Sequence, residues 1–468
     1  MISAIVLATT LSLARGTAPG AIDHAARLDG ASVRTLARVA AMARTPTFAR
    51  QMKLSCNVCH LNGFPQLTRF GRLFKLNGYT LSGLPEIPAL LDTATRRDLA
   101  LSPIPGLSAM AIISSTSMAR ALPGTAAARS QYPQQLSFFF GGEISPRLGA
   151  LMQISYSDVT GRMAIDNSDV RYAGHAKLAD HDLLYGMTLH NNPTVQDVWN
   201  TLPAWGYPFT AASLAARPAA TTLIDGGLAQ SVLGLGAYAL YDNVLYAELS
   251  GYTSAPQGPR ATVDSVETNL THGIAPYWRI ALQNRQGPVT AMVGTYGLVA
   301  DLAPRGAGGA YSSYTDIGVD AQVEHAGDAG SLVARASYTV ETQSLAGALM
   351  LSPPAAANLR NTLRSFKLNA SYAPTPLYAA SAGYFATTGT SDGLLYAPSA
   401  VTGSRTGSPN TEGEVAEFTV NPWANARVGV LYTMYQRFNG AATSYDVGSG
   451  GRNAADNNSL YVYLWIAF

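Results

Sequence analysis

Only two cysteines occur in the 468 residues, Cys56 and Cys59, and both fall within one four-residue stretch. That excludes a disulfide framework across the fold and a four-cysteine zinc site. Charge is scarce as well. Charged residues make up 13% of the chain, about half the usual share, while 47% are hydrophobic. The net charge is +2, and no basic run or aromatic–basic interleaving occurs, so nucleic acid is not an expected partner. Long apolar runs are missing too. Beyond Met1–Ala14, nothing approaches the run of about eighteen residues expected of a membrane-spanning helix. No Lys or Arg precedes that first run, so residues 1–21 read as an imperfect secretory signal, with cleavage near Ala14 or Ala21. The later Arg34–Arg38 stretch, followed by Val39–Ala43, is a second candidate leader or a short amphipathic helix.

What the chain does have is a C-x-x-C-H sequence, Cys56-Asn57-Val58-Cys59-His60. This spacing reads as covalent attachment of a c-type haem. Two thiols add to the vinyl groups on one porphyrin edge, and the next residue is then placed beneath the iron as its proximal ligand. The competing readings are a thioredoxin-like dithiol and a zinc knuckle. The first expects a surrounding βαβ pattern, and the second expects more nearby Cys or His ligands. Downstream, Leu67, Phe70 and Phe74 fall on one helical face, with Arg69, Arg72 and Lys75 opposite. An apolar face of this kind would cover a porphyrin, with the cations either pairing with a propionate or remaining solvated. No Met or His lies between His60 and Met110. Met110 is therefore the first candidate for a distal ligand, with Met118, Met52, His175 and His190 behind it.

From about Leu107 the pattern changes to segments of roughly ten residues that alternate with a period of two. Ile317, Val319, Ala321 and Val323 alternate with Asp316, Gly318, Asp320, Gln322 and Glu324. Phe366, Leu368, Ala370 and Tyr372 alternate with Lys367, Asn369 and Ser371. A soluble sandwich or propeller has such strands too, but turn lengths discriminate. Tight connections at 145–147, 241–243, 286–288, 373–376 and 421–425 alternate with long loops at 192–227, 254–273, 303–313, 389–411 and 439–457. Short turns alternating with long loops, over about sixteen strands, describe an antiparallel β-barrel of the outer membrane. Arg279, Arg335 and Lys367 all lie opposite the apolar face of their strands, where they avoid the cost of facing lipid. The expected class is all-β: a transmembrane barrel over residues 105–468, preceded by a small helical c-type cytochrome domain over residues 46–100. Sixteen strands enclose a lumen of roughly 20 Å, and a domain of about 50 residues is about 25 Å across, so the domain is expected to plug the barrel.

Phe48-Ala49-Arg50-Gln51 before the haem motif, and Phe64-Pro65-x-Leu67-Thr68-x-Phe70-Gly71-Arg72-x-Phe74-Lys75-x-Asn77-Gly78-Tyr79-Thr80 after it, resemble the fused monohaem cytochrome–porins of iron-oxidising bacteria. The resemblance is specific over residues 46–80 and architectural elsewhere. It implies one covalent haem c on Cys56 and Cys59, with His60 on the iron. It also implies Fe(II) as the outside electron donor, a periplasmic carrier such as a small cytochrome or cupredoxin as acceptor, and a location among outer-membrane lipids. The lumen-facing carboxylates Asp316, Asp320, Glu324, Glu341 and Glu417 are expected either to draw cations inward or to pair with Arg279 and Arg335. A solute-conducting porin with the haem domain as a redox gate is the alternative from another class; a different electron donor is a second.

Overall fold

A computed structural model describes residues 47–52, 54–82, 106–254, 269–304, 307–448 and 450–468. The expected signal at 1–21, the basic stretch at 34–38 and the end of the expected cytochrome domain at 83–100 lie outside the described residues. Three short helices come first: α1 (Thr47–Met52), α2 (Cys56–Cys59) and α3 (Arg69–Leu76). Seventeen strand segments follow. The first seven are β1 (Leu107–Met118), β2 (Ala128–Ser145), β3 (Leu148–Ser157), β4 (Arg162–Leu178), β5 (His181–His190), β6 (Val232–Tyr241) and β7 (Leu245–Ser254). Next come β8 (Asn269–Thr271), β9 (Ala275–Gln286), β10 (Val289–Pro304), β11 (Ser312–Gly327) and β12 (Gly330–Ser344). The last five are β13 (Arg360–Thr375), β14 (Tyr378–Gly389), β15 (Thr411–Trp423), β16 (Ala426–Arg437) and β17 (Ser459–Ala467).

All pairings are antiparallel, and β17 returns to β1 in unbroken register from Met110↔Ala467 to Met118↔Ser459. β8 and β9 both pair with β10, at Leu302↔Thr271 and Leu298↔Tyr277, and so form two parts of one interrupted strand. The result is a closed sixteen-stranded barrel. Closure leaves no edge N–H or C=O unpaired, which is the condition for crossing hydrocarbon with strands. The side chains obey the same condition. On β11, Ile317, Val319 and Val323 are 56%, 53% and 48% exposed on the outside, while Asp316 and Asp320 are buried towards the lumen. The expected period of two is thus the physical boundary between lipid and interior.

The two ends of the barrel differ. Seven connections of two or three residues lie at the end where β1 begins and β17 finishes. The longer loops lie at the other end, as read from the sequence, with the 345–359 connection in addition. Short turns mark the periplasmic end of such barrels. The longest connection, 191–231, does not stay at the mouth. Val195, Val198, Trp199 and Leu202 in it are buried, and Trp199 Nε1 donates to Gln283 Oε1 of β9 at 3.3 Å. This loop folds into the lumen.

Candidate functional site

Residues 54–82 occupy the turn end of the lumen and touch the wall around its circumference. Thr80 donates to the Pro146 carbonyl beyond β2, and His175 of β4 is hydrogen-bonded to Asn77 at 2.7 Å. Tyr238 of β6 donates to the Leu76 carbonyl at 2.6 Å. Arg72 forms a two-pronged ion pair with Glu324 of β11, at 2.5 and 3.1 Å. Ser331 of β12 bonds Asn62, and Arg427 of β16 donates to the Asn62 carbonyl at 2.9 Å. From the loop side, the inward-folded connection meets the same segment. Lys75 Nζ donates to the Val195 and Asp197 carbonyls at 2.5 and 3.0 Å.

These contacts correct the sequence expectation for α3. Arg72 and Lys75 are not solvated: both are buried and paired with the wall or the loop, and Lys75 also lines the cavity described below. The helix is enclosed by protein except towards one cavity. Leu73 and Leu76 pack into a cluster with Val198, Trp199 and Tyr238, while Gly71 and Phe74 face the cavity described next. Gly71 is needed because a Cβ there would fall on the carbonyl oxygen of Cys59. Helix α3 therefore rests directly on the C-x-x-C-H turn. That turn is closed by His60 N donating to Cys56 O at 2.8 Å and by Thr68 N donating to Cys59 O at 2.9 Å. Thr68 both caps α3, accepting from Gly71 N at 3.0 Å, and donates to Val58 O at 2.6 Å.

Cys56, Cys59 and His60 line one cavity of about 1450 Å³, a volume that includes the solvent at its mouth. Met110, on the inward face of β1, lines the same cavity, as does Met52. The other distal candidates are elsewhere. Met118 lies eight residues further along β1, about 27 Å towards the loops, in a cluster with Phe438 and Tyr445. His175 is held by Asn77, and His190 is bonded to Tyr252 and Thr188. Of these five residues, Met110 and Met52 are the ones that line the cavity with Cys56, Cys59 and His60.

The chemistry of the donor set fits a c-type haem. Burial pushes the Cys56 thiol up and the Cys59 thiol up to about 11, the reverse of the lowered pKa that a dithiol redox centre requires. Burial also takes His60 down to about 4, leaving it a neutral imidazole, and its Nδ1 is buried without a hydrogen-bond partner. A neutral imidazole is the ligating form. The wall beside it is aromatic. Phe64 lies 5.6 Å from the His60 ring, 5.8 Å from Trp205 of the inward loop and 5.9 Å from Trp465 of β17. Trp205 and Trp465 were not singled out from sequence. The apolar residues in the 191–231 loop were the available signal, because a solvent-exposed loop has little use for Val195, Val198, Trp199 and Leu202.

The lumenal carboxylates divide into classes. Asp320 pairs with Arg279 at 2.5 Å and Glu324 with Arg72, while Glu417 accepts from the Tyr463 hydroxyl at 2.7 Å. Asp316 accepts the Ile224 N–H at 2.7 Å, and Glu341 accepts that of Leu223, so this facing pair anchors the inward loop. Arg335 donates to Gln322 and to the Trp199 carbonyl. Four of the five are thus structural anchors between wall, loop and inner segment.

No protein-family model and no curated protein matches the sequence. Among solved structures, the chain is similar to the outer-membrane channel DcaP of Acinetobacter baumannii, with 14% identity, 77% of this chain and 96% of that chain covered, and a TM-score of 0.45. It is also similar to Salmonella typhi OmpF, in a complex with daunomycin, at 13% identity, coverage of 77% and 97%, and a TM-score of 0.44. The anion-selective porin from Comamonas acidovorans matches at 12% identity, coverage of 77% and 98%, and a TM-score of 0.44. The closed wall, the apolar outer face and the alternation of short turns with long loops make this chain a sixteen-stranded β-barrel of the outer membrane.

Proposed function

We propose that this protein is an outer-membrane electron-transfer protein that holds one haem c in the lumen of its barrel. Cys56 and Cys59 would hold the porphyrin covalently, and His60 and Met110 would ligate its iron. The observation that carries this reading is that the C-x-x-C-H turn and Met110 line one cavity inside a membrane-spanning barrel. A bound haem supplies reversible one-electron chemistry, and no acid–base machinery is required of the protein.

The residues of the chain do the rest. Phe64, Phe74, Trp205 and Trp465 give the cavity an aromatic lining. Arg72 and Lys75 tie the segment to the wall and to the inward loop, so the site cannot drift. The cavity lies at the turn end, where Ser55, just before the motif, and Asn57 within it are exposed. A periplasmic carrier, either a small cytochrome or a cupredoxin, could approach there. Fe(II) on the loop side is the donor that best fits the sequence resemblance.

Two measurements test this reading. The denatured chain should retain haem peroxidase activity on a gel. Met110→Ala should remove a sulfur-to-iron charge-transfer band and lower the potential, because thioether ligation raises it. If that band survives in Met110→Ala and disappears in Met52→Ala, Met52 is the ligand.

A further inference from the structure

A smaller cavity, of about 490 Å³ including solvent at its mouth, lies between the inward loop and the wall at β12 and β13. Asn200 is the one residue it shares with the first cavity. Its wall side is a rectangle of four lumen-facing side chains. Arg335 of β12 stands opposite Asn369 of β13, and Ser337 stands opposite Lys367. Partners across two strands lie about 5 Å apart, and residues two apart along one strand about 7 Å. All four side chains can donate hydrogen bonds. Among the described residues, no carboxylate lines this cavity.

Arg335 gives the site its charge. It is 3% exposed, and its Nε donates only to neutral oxygens, the Trp199 carbonyl at 3.0 Å and Gln322 Oε1 at 2.6 Å. Arg72, Arg171 and Arg279, buried elsewhere in the lumen, each reach a carboxylate, at 2.5, 2.7 and 2.5 Å. Arg335 forms no ion pair among the described residues. Two carboxylates act on it from further away, and both are committed. Glu324 holds Arg72 and accepts from Gln322, while Asp197 accepts the N–H groups of Trp199, Thr201 and Leu202 and lies 3.6 Å from Arg279. Of the terminal nitrogens of Arg335, Nη1 is sealed without a partner, whereas Nη2 makes no hydrogen bond and is not sealed. The other corners have donors to spare. Lys367 meets Asp225 at 2.5 Å but is 39% exposed and carries three N–H donors. Ser337 and Asn369 are half-buried, and no hydrogen bond engages them among the described residues.

A buried guanidinium without a counter-charge is costly, because neutral acceptors replace only part of its hydration. Four converging donors, two of them cationic, call for an anion with several acceptor oxygens. We propose that this cavity binds one small tetrahedral oxyanion of the phosphate or sulfate class, held by Arg335, Lys367, Ser337 and Asn369. Charge-assisted bonds to such oxygens run about 2.7–2.9 Å, so one ion reaches all four corners of a rectangle of about 5 by 7 Å. Bound there, it ties the wall to the loop stretch that carries Trp205 into the first cavity. The site stands on these residues alone and does not depend on the haem reading.

The test uses the full chain in detergent and chloride buffer, with radiolabelled inorganic phosphate followed by equilibrium dialysis. One phosphate should bind per barrel, and equally well in the Cys56→Ser/Cys59→Ser protein. Sulfate should compete, and chloride at the same ionic strength should not. Arg335→Gln should weaken binding at least about tenfold, the size expected for lost hydrogen bonds between charged groups. Asn369→Asp separates binding from folding, because it places a carboxylate directly opposite Arg335 and supplies the counter-charge from within the chain. It should abolish phosphate binding while the midpoint of unfolding in urea stays level or rises. A lowered midpoint in Asn369→Asp would show that Arg335 is not short of a counter-charge, and would overturn the proposal. So would absence of phosphate binding, binding untouched by either substitution, or displacement by chloride. Loss of binding in the Cys56→Ser/Cys59→Ser protein would place the phosphate in the first cavity and overturn it as well.

Discussion

The barrel wall and the segment it encloses bury polar groups in opposite ways. Each strand of the wall keeps its charges on one face. On β11 the outward Ile317, Val319 and Val323 meet lipid, while Asp316, Asp320 and Glu324 meet the lumen. Helix α3 has no such division, because both of its faces are buried. Arg72 and Lys75, on its polar side, are as inaccessible as Leu73 and Phe74 on its apolar one. A strand in the wall needs only the correct alternation. A helix in the lumen needs specific partners for its buried cations, and so depends on residues far away in sequence: Glu324, Val195 and Asp197. The wall should therefore tolerate change in the inner segment, whereas the inner segment should not tolerate change in the wall.

The largest expected effect falls on the inner segment alone. Cys56→Ser with Cys59→Ser should remove covalent haem entirely, measured by haem staining, while the barrel keeps its heat-resistant migration on a gel. Loss of both would mean that the wall needs the haem to form. Next comes Arg72→Met, which leaves Glu324 buried and unpaired at a cost of about 3–5 kcal/mol. The segment should loosen, and ion conductance across planar bilayers should rise. Adding Glu324→Gln should recover most of the loss, and equal conductance in all three proteins would show that the pair does not hold the segment in place. On the wall, Val319→Arg places a charge in lipid and should cost roughly 2–4 kcal/mol in reversible unfolding into urea, without disturbing haem content. A loss of haem at unchanged barrel stability would contradict the division between wall and interior.

The smallest effect concerns the loop end. Asp392 ties loop 345–359 to loop 390–410. Burial raises its pKa, but backbone N–H groups of Leu395, Asn358 and Ala357 and the side chain of Asn361 outweigh that and hold it at about 2. A carboxyl depressed on folding contributes stability above its ordinary pKa of 3.8, and that contribution disappears as pH falls towards about 2. Hydrogen exchange in these two loops should accelerate between about pH 4 and 2 in the wild type. In Asp392→Asn it should already be fast at neutral pH, and a flat profile in the wild type would remove this tie from the account.

The wall was legible in the sequence because lipid imposes one simple rule on every second residue. The tight turns at 145–147, 241–243 and 286–288, and the long loops at 192–227, 389–411 and 439–457, followed from the same reading and stand as expected, whereas the expected 254–273 loop carries the short strand β8. The C-x-x-C-H turn was legible because its five residues are adjacent in the chain. What could not be read was which distant groups meet inside the lumen. Alternation placed Met110 on a strand but gave no reason to separate it from Met118; only the depth of the inner segment does so. The cations of α3 fit an amphipathic surface helix equally well until Glu324 and the inward loop were seen beside them. The 191–231 loop was correctly expected to be long, yet its descent into the lumen depends on Trp199, Leu202 and the facing carboxylates Asp316 and Glu341, which are close only in space.

The central claim is that one site in the lumen links the two sides of the outer membrane. The most direct test is a proteoliposome with the loop end outward and an oxidised small periplasmic carrier trapped inside. On the present account, Fe(II) added outside reduces the trapped carrier, and the Cys56→Ser/Cys59→Ser protein does not support this transfer. If the wild-type haem stays oxidised under excess Fe(II) while ions pass freely through the barrel, the iron-driven electron-transfer account is wrong and a gated porin takes its place.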